Sequence, residues 1–461
     1  MIWILFFKAF KKSIVKLNPL KRNYSHNISM MSEHPQSLLA TAYNSEFELS
    51  HDSYNALSLA SNGKIYYILS SDSVESAGQM YEFDPKTNQI KHLADLNDIC
   101  GESNQKHIPQ GKSHVSFYEY QQKLYFSTHI GYYQVIDGMD RLPIEAPSGY
   151  TLYPGGHLLS YDLQTGIFED LGILPNGEGC VSMVMDTVRG NLFGISWPTG
   201  KIFYFQLESR QLHLFPSVSG NGEAGIPGED FRSLCRSLLV NPQTGIAYFS
   251  TSEGYIYQID PNSMKVERIE DLHLRLDYFG KYEPKYPGNM AYNWRQIIWY
   301  EPEQVAYGVH GNSGYLFKFD PTHRSIELLD RITSLPSKKS GMFDQFSYGY
   351  LGFQLGPDGE TLYYLTGGPI FIDGKRLEGE KEIAKGAAKG LENLHLITFH
   401  IPSQFYQDHG PIFYSDGNWP QYVNSISIDF EGQVYALARG NRNNQVRCDL
   451  IQINSPFQKS K

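Results

Sequence analysis

The feature that most limits what this chain can become is a unit that recurs seven times along it. Each copy has an apolar stretch, a turn, an aromatic-rich strand, a glycine, a strand ending near Asp-Pro, and a last strand. The clearest copy reads ALSLASNGKIYYILSS and then QMYEFDPKTNQIKHLADL, from Ala56 to Leu96. The next three are VSFYEYQQKLYFSTH with HLLSYDLQTGIFEDLGIL, SMVMDTVRGNLFGISW with KIFYFQLESRQLHLF, and SLLVNPQTGIAYFSTSEGYIYQIDPNSMKVERIEDL. The last three begin IIWYEPEQVAYGVHG, LGFQLGPDGETLYYLTGG and SISIDFEGQVYALARG. Asn-Gly, Asp-Gly and Asp-Pro pairs supply the turns of a four-stranded meander.

A lone meander cannot bury both faces, whereas a ring of them can, as in a β-propeller. The expected fold is therefore all-β: a seven-bladed β-propeller of four-stranded antiparallel blades. The content of 33 Tyr, 26 Phe, 42 Gly and 24 Pro agrees, because it favours strands and tight turns over helices. The seventh unit lacks a fourth strand, and residues 44–50 (NSEFELS) are expected to provide it, closing one domain over 44–453. A two-domain array of β-sandwiches is the rival, which the near-regular spacing disfavours.

Residues 1–32 differ in chemistry. They hold Lys8, Lys11, Lys12, Lys16, Lys21 and Arg22 and no acid. Their apolar run, Ile2 to Phe7, comes before the basic residues, the reverse of a secretory signal, and falls far short of the roughly 20 residues of a bilayer span. Secretion and a transmembrane helix are not expected. The segment reads as a transit peptide, a membrane-surface anchor or an upstream extension before Met30 or Met31, and the expected location is cytoplasmic or organellar. The glycosylation acceptors Asn23 and Asn27 decide nothing here.

Charge removes one functional class: 39 Lys and Arg against 49 Asp and Glu give a net −10, which is not the footprint of a nucleic-acid binder. The cysteines Cys100, Cys180, Cys235 and Cys448 form no C-x-x-C pair, so neither a zinc ribbon nor a disulfide scaffold is indicated. Cys180 and Cys235 are expected to be buried thiols.

In a propeller the first strand of each blade lines the channel and the second runs back, so the start of one and the end of the other share a face. Aligning the units puts Asn55, His114, Val181, Arg236, Arg295, Tyr350 and Asn424 just before strand one, with Glu178 and Tyr348 as alternatives in the third and sixth units. The ends of strand two and the loops after them add His129, Tyr132, Tyr133, Trp197 and His310. Insertions at 132–156, ending before His157, and at 367–393, Lys- and Glu-rich with helical character, open on that face and wall a cleft. One pocket rich in acid/base groups, rather than an acidic wall, is expected. Each residue also has a plainer role: a hydrogen-bonded histidine, an arginine paired with an acid, a packed tyrosine.

Arginine binds carboxylates through planar paired bonds, and histidine and tyrosine exchange protons. Together they suit β-elimination on a uronic acid, in which the carboxylate is neutralised, the C5 proton abstracted and the leaving oxygen protonated. The expected partner is an acidic oligo- or polysaccharide.

This arrangement resembles the propeller polysaccharide lyases of the ulvan-lyase and oligogalacturonate-lyase type. KSHVSFYEY followed by LYFSTHIGYY gives His114 and His129, similar to the paired histidines of those enzymes. The resemblance implies that Arg236 or Arg295 neutralises the uronate and that Tyr133 or Tyr350 is the acid. Asn55, Tyr132, His157, Trp197, His310 and Asn424 would then surround the sugar. The metal-dependent members use a tight histidine cluster, and this chain has no His-x-His. No metal or other cofactor is expected, although His114, His129, His157 and His310 are the residues that would converge on one.

Two other functions fit the repeat. An interaction propeller would present loops to a protein partner without chemistry, although neither a WD nor a kelch signature occurs. A cation-dependent hydrolase or lactonase would use Glu178, Asn55 and Asn424 as oxygen ligands.

Overall fold

The computed structural model describes residues 37–136, 138–340, 352–369, 371–372, 375–376, 392–420, 422–442 and 445–457. The leader, Tyr348, Tyr350 and residues 377–391 of the second insertion lie outside the described residues.

The repeat units become antiparallel sheets: five of four strands and one of nine. The inner strands of the five are Leu57–Leu59, Tyr118–Tyr120, Gly179–Asp186, Leu239–Val240 and Trp294–Tyr300. The nine-stranded sheet joins the sixth unit, beginning at Phe353–Leu355, to the seventh, beginning at Ser427–Ile428. Strand patterns explain the layering. The second strands Ile65–Leu69 and Val305–His310 are buried at every residue, while the outer strand Gln89–Asp95 is largely exposed. The Asp-Pro signature has a local cause: Asp84, Asp260 and Asp320 accept the backbone N–H two residues on (2.8, 2.9 and 2.9 Å), while proline fixes the turn between.

Neighbouring inner strands are tied around the ring. Phe117 N donates to Ser58 Oγ (3.0 Å), Tyr118 Oη to Met183 O (2.9 Å), and Ile297 N to Ser237 Oγ (3.3 Å). Closure comes where Leu59 N donates to Ser427 Oγ (2.7 Å) and where Leu57, Ile65, Tyr435 and Leu450 share one apolar cluster. The chain is a β-propeller.

The closing strand is not the one expected. Leu38–Tyr43 pairs antiparallel with Gln445–Ile453 and parallel with Phe405–Tyr414, and so stitches the last two blades together. Residues 44–50 instead turn: Glu46 has φ 58° and Ser50 N donates to Phe47 O (3.1 Å). The run LLATAY is uninterrupted and accepts the extended backbone that Glu46 breaks. The second insertion also differs at its described ends, which are strands, Thr361–Pro369 paired with Glu392–His400, rather than helix. Among the described residues no helix is long and apolar enough to cross a membrane.

Candidate functional site

At one mouth of the ring lies a cavity of about 400 Å³. It collects Val181 and Arg295 from the inner strands of two blades, His114, Arg236 and Asn424 from just before those of three others, and His129, Tyr133 and Trp197 from the ends and loops of second strands. Radial packing is what makes these distant residues neighbours. The first insertion walls it as expected, through the hairpin Gln134–Ile136 and Met139–Arg141, which contributes Met139 and Asp140.

Two imidazoles sit at its centre. The His114 ring is 4.6 Å from the Tyr54 ring and 4.6 Å from that of His129, which in turn lies 5.2 Å from Trp197. His129 is fixed through its backbone, which exchanges two hydrogen bonds with Lys112 (3.1 and 2.7 Å). Gly179 makes room for its ring, because a Cβ there would meet the imidazole at 2.9 Å. His129 Nδ1 lies 2.8 Å from Ile130 O. A carbonyl only accepts, so Nδ1 carries the proton and Nε2 carries the lone pair. Nε2 is buried and makes no hydrogen bond among the described residues.

Electrostatics keep both rings neutral. Burial, then the Lys112 charge, hold His114 and His129 well below the usual histidine value, with Arg236 adding to the effect. Tyr54 is pushed well up, by burial first and then by Asp52. It remains a phenol, a proton donor.

Glu223 organises the opposite wall. Its carboxylate accepts from Arg236 Nη2 (2.6 Å), from the indole Nε1 of Trp197 (2.9 Å) and from Leu234 N (3.1 Å). The plainer reading of Arg236, as the partner of an acid, therefore describes its resting state. Arg295 is 1% exposed and lines the same cavity.

Four expected residues do not reach this cavity. Asn55 is replaced by Tyr54, which precedes its inner strand by three residues, as Arg236 and Asn424 precede theirs. Tyr132 packs against the apolar core instead. His157 starts the third strand of its blade, too far from the axis, and sits between Asp170 Oδ2 (2.9 Å) and Glu102 Oε1 (3.0 Å). His310 is covered by Phe279, stacked 4.3 Å away and nearly parallel. Glu178 is likewise engaged, accepting from Thr199 Oγ1 (2.7 Å) and Lys201 Nζ (3.2 Å), and so does not join Asn424 as a cation ligand. With His157 and His310 elsewhere, the four histidines named for a metal do not converge. Among the described residues no group of three or more His, Cys, Asp or Glu is placed to hold one. All four cysteines are buried free thiols.

Lys112, Tyr54, Asp52, Asp140, Glu223 and Tyr422 were not foreseen and line the cavity. A signal existed for Lys112: in the extended segment KSH it is two residues before His114 and so shares its face. Three carboxylates thus stand among three cations, so the pocket holds acid/base groups as expected but more acids than the alignment had named.

No family model matches the chain, and no curated protein matches it in sequence. Similar solved structures include the β-propeller domain of Cps50 (Swd1) from Myceliophteria thermophila, with 10% identity and a TM-score of 0.47, covering 88% of this chain and 98% of that one. Another, from Bacteroides fragilis, provisionally described as a 6-phosphogluconolactonase, has 11% identity and a TM-score of 0.43, covering 78% and 85%. A protein from Lactobacillus plantarum has 11% identity and a TM-score of 0.47, covering 79% and 87%. At such distances these likenesses say nothing of activity.

Proposed function

We propose that the cavity binds an acidic sugar and that its histidines, tyrosines and cations perform β-elimination on it. The observation that carries this reading is the hydrogen bond of His129: Nδ1–H is committed to Ile130 O, leaving Nε2 with its lone pair on a ring that lines a cavity of mixed charge. That is the form a general base needs at neutral pH. In the proposed step His129 removes the proton from the carbon beside the carboxylate. Arg295, Arg236 and Lys112 supply the positive field that stabilises the developing enolate. Tyr133, or Tyr54, protonates the departing glycosidic oxygen as the C–O bond breaks and the C=C bond forms. A volume of about 400 Å³ suits a short saccharide end better than a long chain lying across a groove.

The test is incubation of the full chain with uronic-acid oligosaccharides, followed by the ultraviolet absorbance of the unsaturated product. Turnover that His129→Ala abolishes supports the reading; turnover unaffected by that change removes His129 from it.

A second reading, an interaction propeller, has its own observation. Val135 and Ile144, on the insertion that walls the cavity, are 67% and 72% exposed, and apolar side chains on a rim are what a protein partner covers. Absence of turnover together with a partner lost on deleting 134–144 would favour it.

A further inference from the structure

Of the three cations at the mouth of the ring, the unforeseen lysine has a tightly constrained ammonium. Lys112 is only 2% exposed, yet it lines the cavity. Its Nζ lies 4.0 Å from the centre of the Tyr54 ring and 4.5 Å from that of Tyr133. Two phenol faces hold the ammonium by cation–π attraction, which favours its charged form and fixes its position. Its backbone is bridged antiparallel to His129, which fixes the two residues' main chains against each other.

We infer that Lys112 anchors the ligand's anionic group in this cavity, receiving a carboxylate beside the His114–His129 pair. The inference rests on the acidic-sugar reading above and deepens it by naming the residue that selects for the acid. Three arguments lead there. The two phenol faces hold Nζ in place at the wall of a cavity that also holds His114 and His129, so a ligand carboxylate entering there meets a fixed ammonium. The groups facing it are the phenols Tyr54 and Tyr133, the imidazoles His114 and His129, the carboxylates Asp52 and Asp140, and Arg236. Lys112 lines the same cavity as both imidazoles, and its backbone bridges that of His129, so its charge stands beside the place where a proton would be taken. A carboxylate held there sits adjacent to the carbon acid that His129 would attack. Arg236 shares a 2.6 Å bond with Glu223, the acid that also holds Trp197, and so adds to the field from a fixed position rather than serving as the anchor.

The experiment is calorimetric titration of the full chain with galacturonate and with galactose, which differ only in the carboxylate. The wild type is expected to prefer galacturonate by about tenfold or more, the scale of one charge-assisted hydrogen bond. Lys112→Met should lose that preference, Lys112→Arg should keep most of it, and galactose affinity should stay the same throughout. If Lys112→Met does not fold, Lys112→Gln, which keeps a polar head between the tyrosines, carries the same comparison. Unchanged galacturonate preference in the folded Met or Gln variant, or no preference in the wild type, overturns the inference. Preference that depends on Lys112 without any elimination would overturn the catalytic reading and leave the anchor standing.

Discussion

The carboxylate of Glu223 bonds the guanidinium of Arg236 at 2.6 Å although the two residues lie on different elements, a 3-10 turn in one loop and the lead-in to the fourth blade. The same carboxylate holds the Trp197 indole, which packs on His129, so one acid sets the shape of half the cavity. Replacing it with Gln keeps the volume and removes a charge that bonds Arg236, a guanidinium only 10% exposed. Glu223→Gln should lower stability by about 2–4 kcal/mol, read as a fall in the urea midpoint.

His129→Ala should reduce turnover of a uronic-acid oligosaccharide by about 10²–10⁴-fold, the range for loss of a general base. KM should change far less than kcat, since the ring packs beside the substrate without supplying the anion anchor. Steady-state kinetics on the wild type and on His129→Ala separates the two effects.

How much of this was legible before the fold? The repeat and its Asp-Pro turns announced the ring, because each unit is locally complete and only its faces need partners. The inner-strand alignment named Arg236, Arg295, His114 and Asn424 at equivalent positions, and all four line one cavity. It missed Tyr54 by one residue because the first unit's short inner strand, Leu57–Leu59, gives little hydrophobic periodicity from which to set its register. His310 obeyed the alignment but is hidden by Phe279, which belongs to an aromatic insertion between the fourth and fifth blades. Such insertions follow no repeat, and Glu223 came from another. Long-range partners of this kind carry no spacing signal.

His157 should make stability fall in alkali. Burial opposes its charge, but hydrogen bonds and charge from Asp170 and Glu102 push it up to about 9 from 6.5. A raised folded value means that the stabilisation is complete below about 6.5 and is lost as pH rises through about 9. Allowing for the half-open Asp170, the contribution is on the order of 2 kcal/mol. Urea unfolding at both ends of that window should show this loss in the wild type and a flatter profile in His157→Gln.

Gly131 should be irreplaceable for steric reasons. A Cβ there would fall 1.9 Å from Ser71 O and 2.9 Å from the Cα of Gly111, where two backbones cross behind Lys112 and His129. Gly131→Ala should cost about 3 kcal/mol or more and should also disturb the His129 bridge, both visible as a lower Tm and weaker galacturonate binding.

The central claim is that His129 rests as a neutral, Nδ1-protonated base facing the cavity. Nitrogen and carbon NMR of its imidazole across a pH titration tests this most directly. The expected result is an Nδ1–H tautomer that stays neutral well below pH 6.5, the ordinary histidine value. An Nε2–H tautomer, or protonation near that ordinary value, would contradict it.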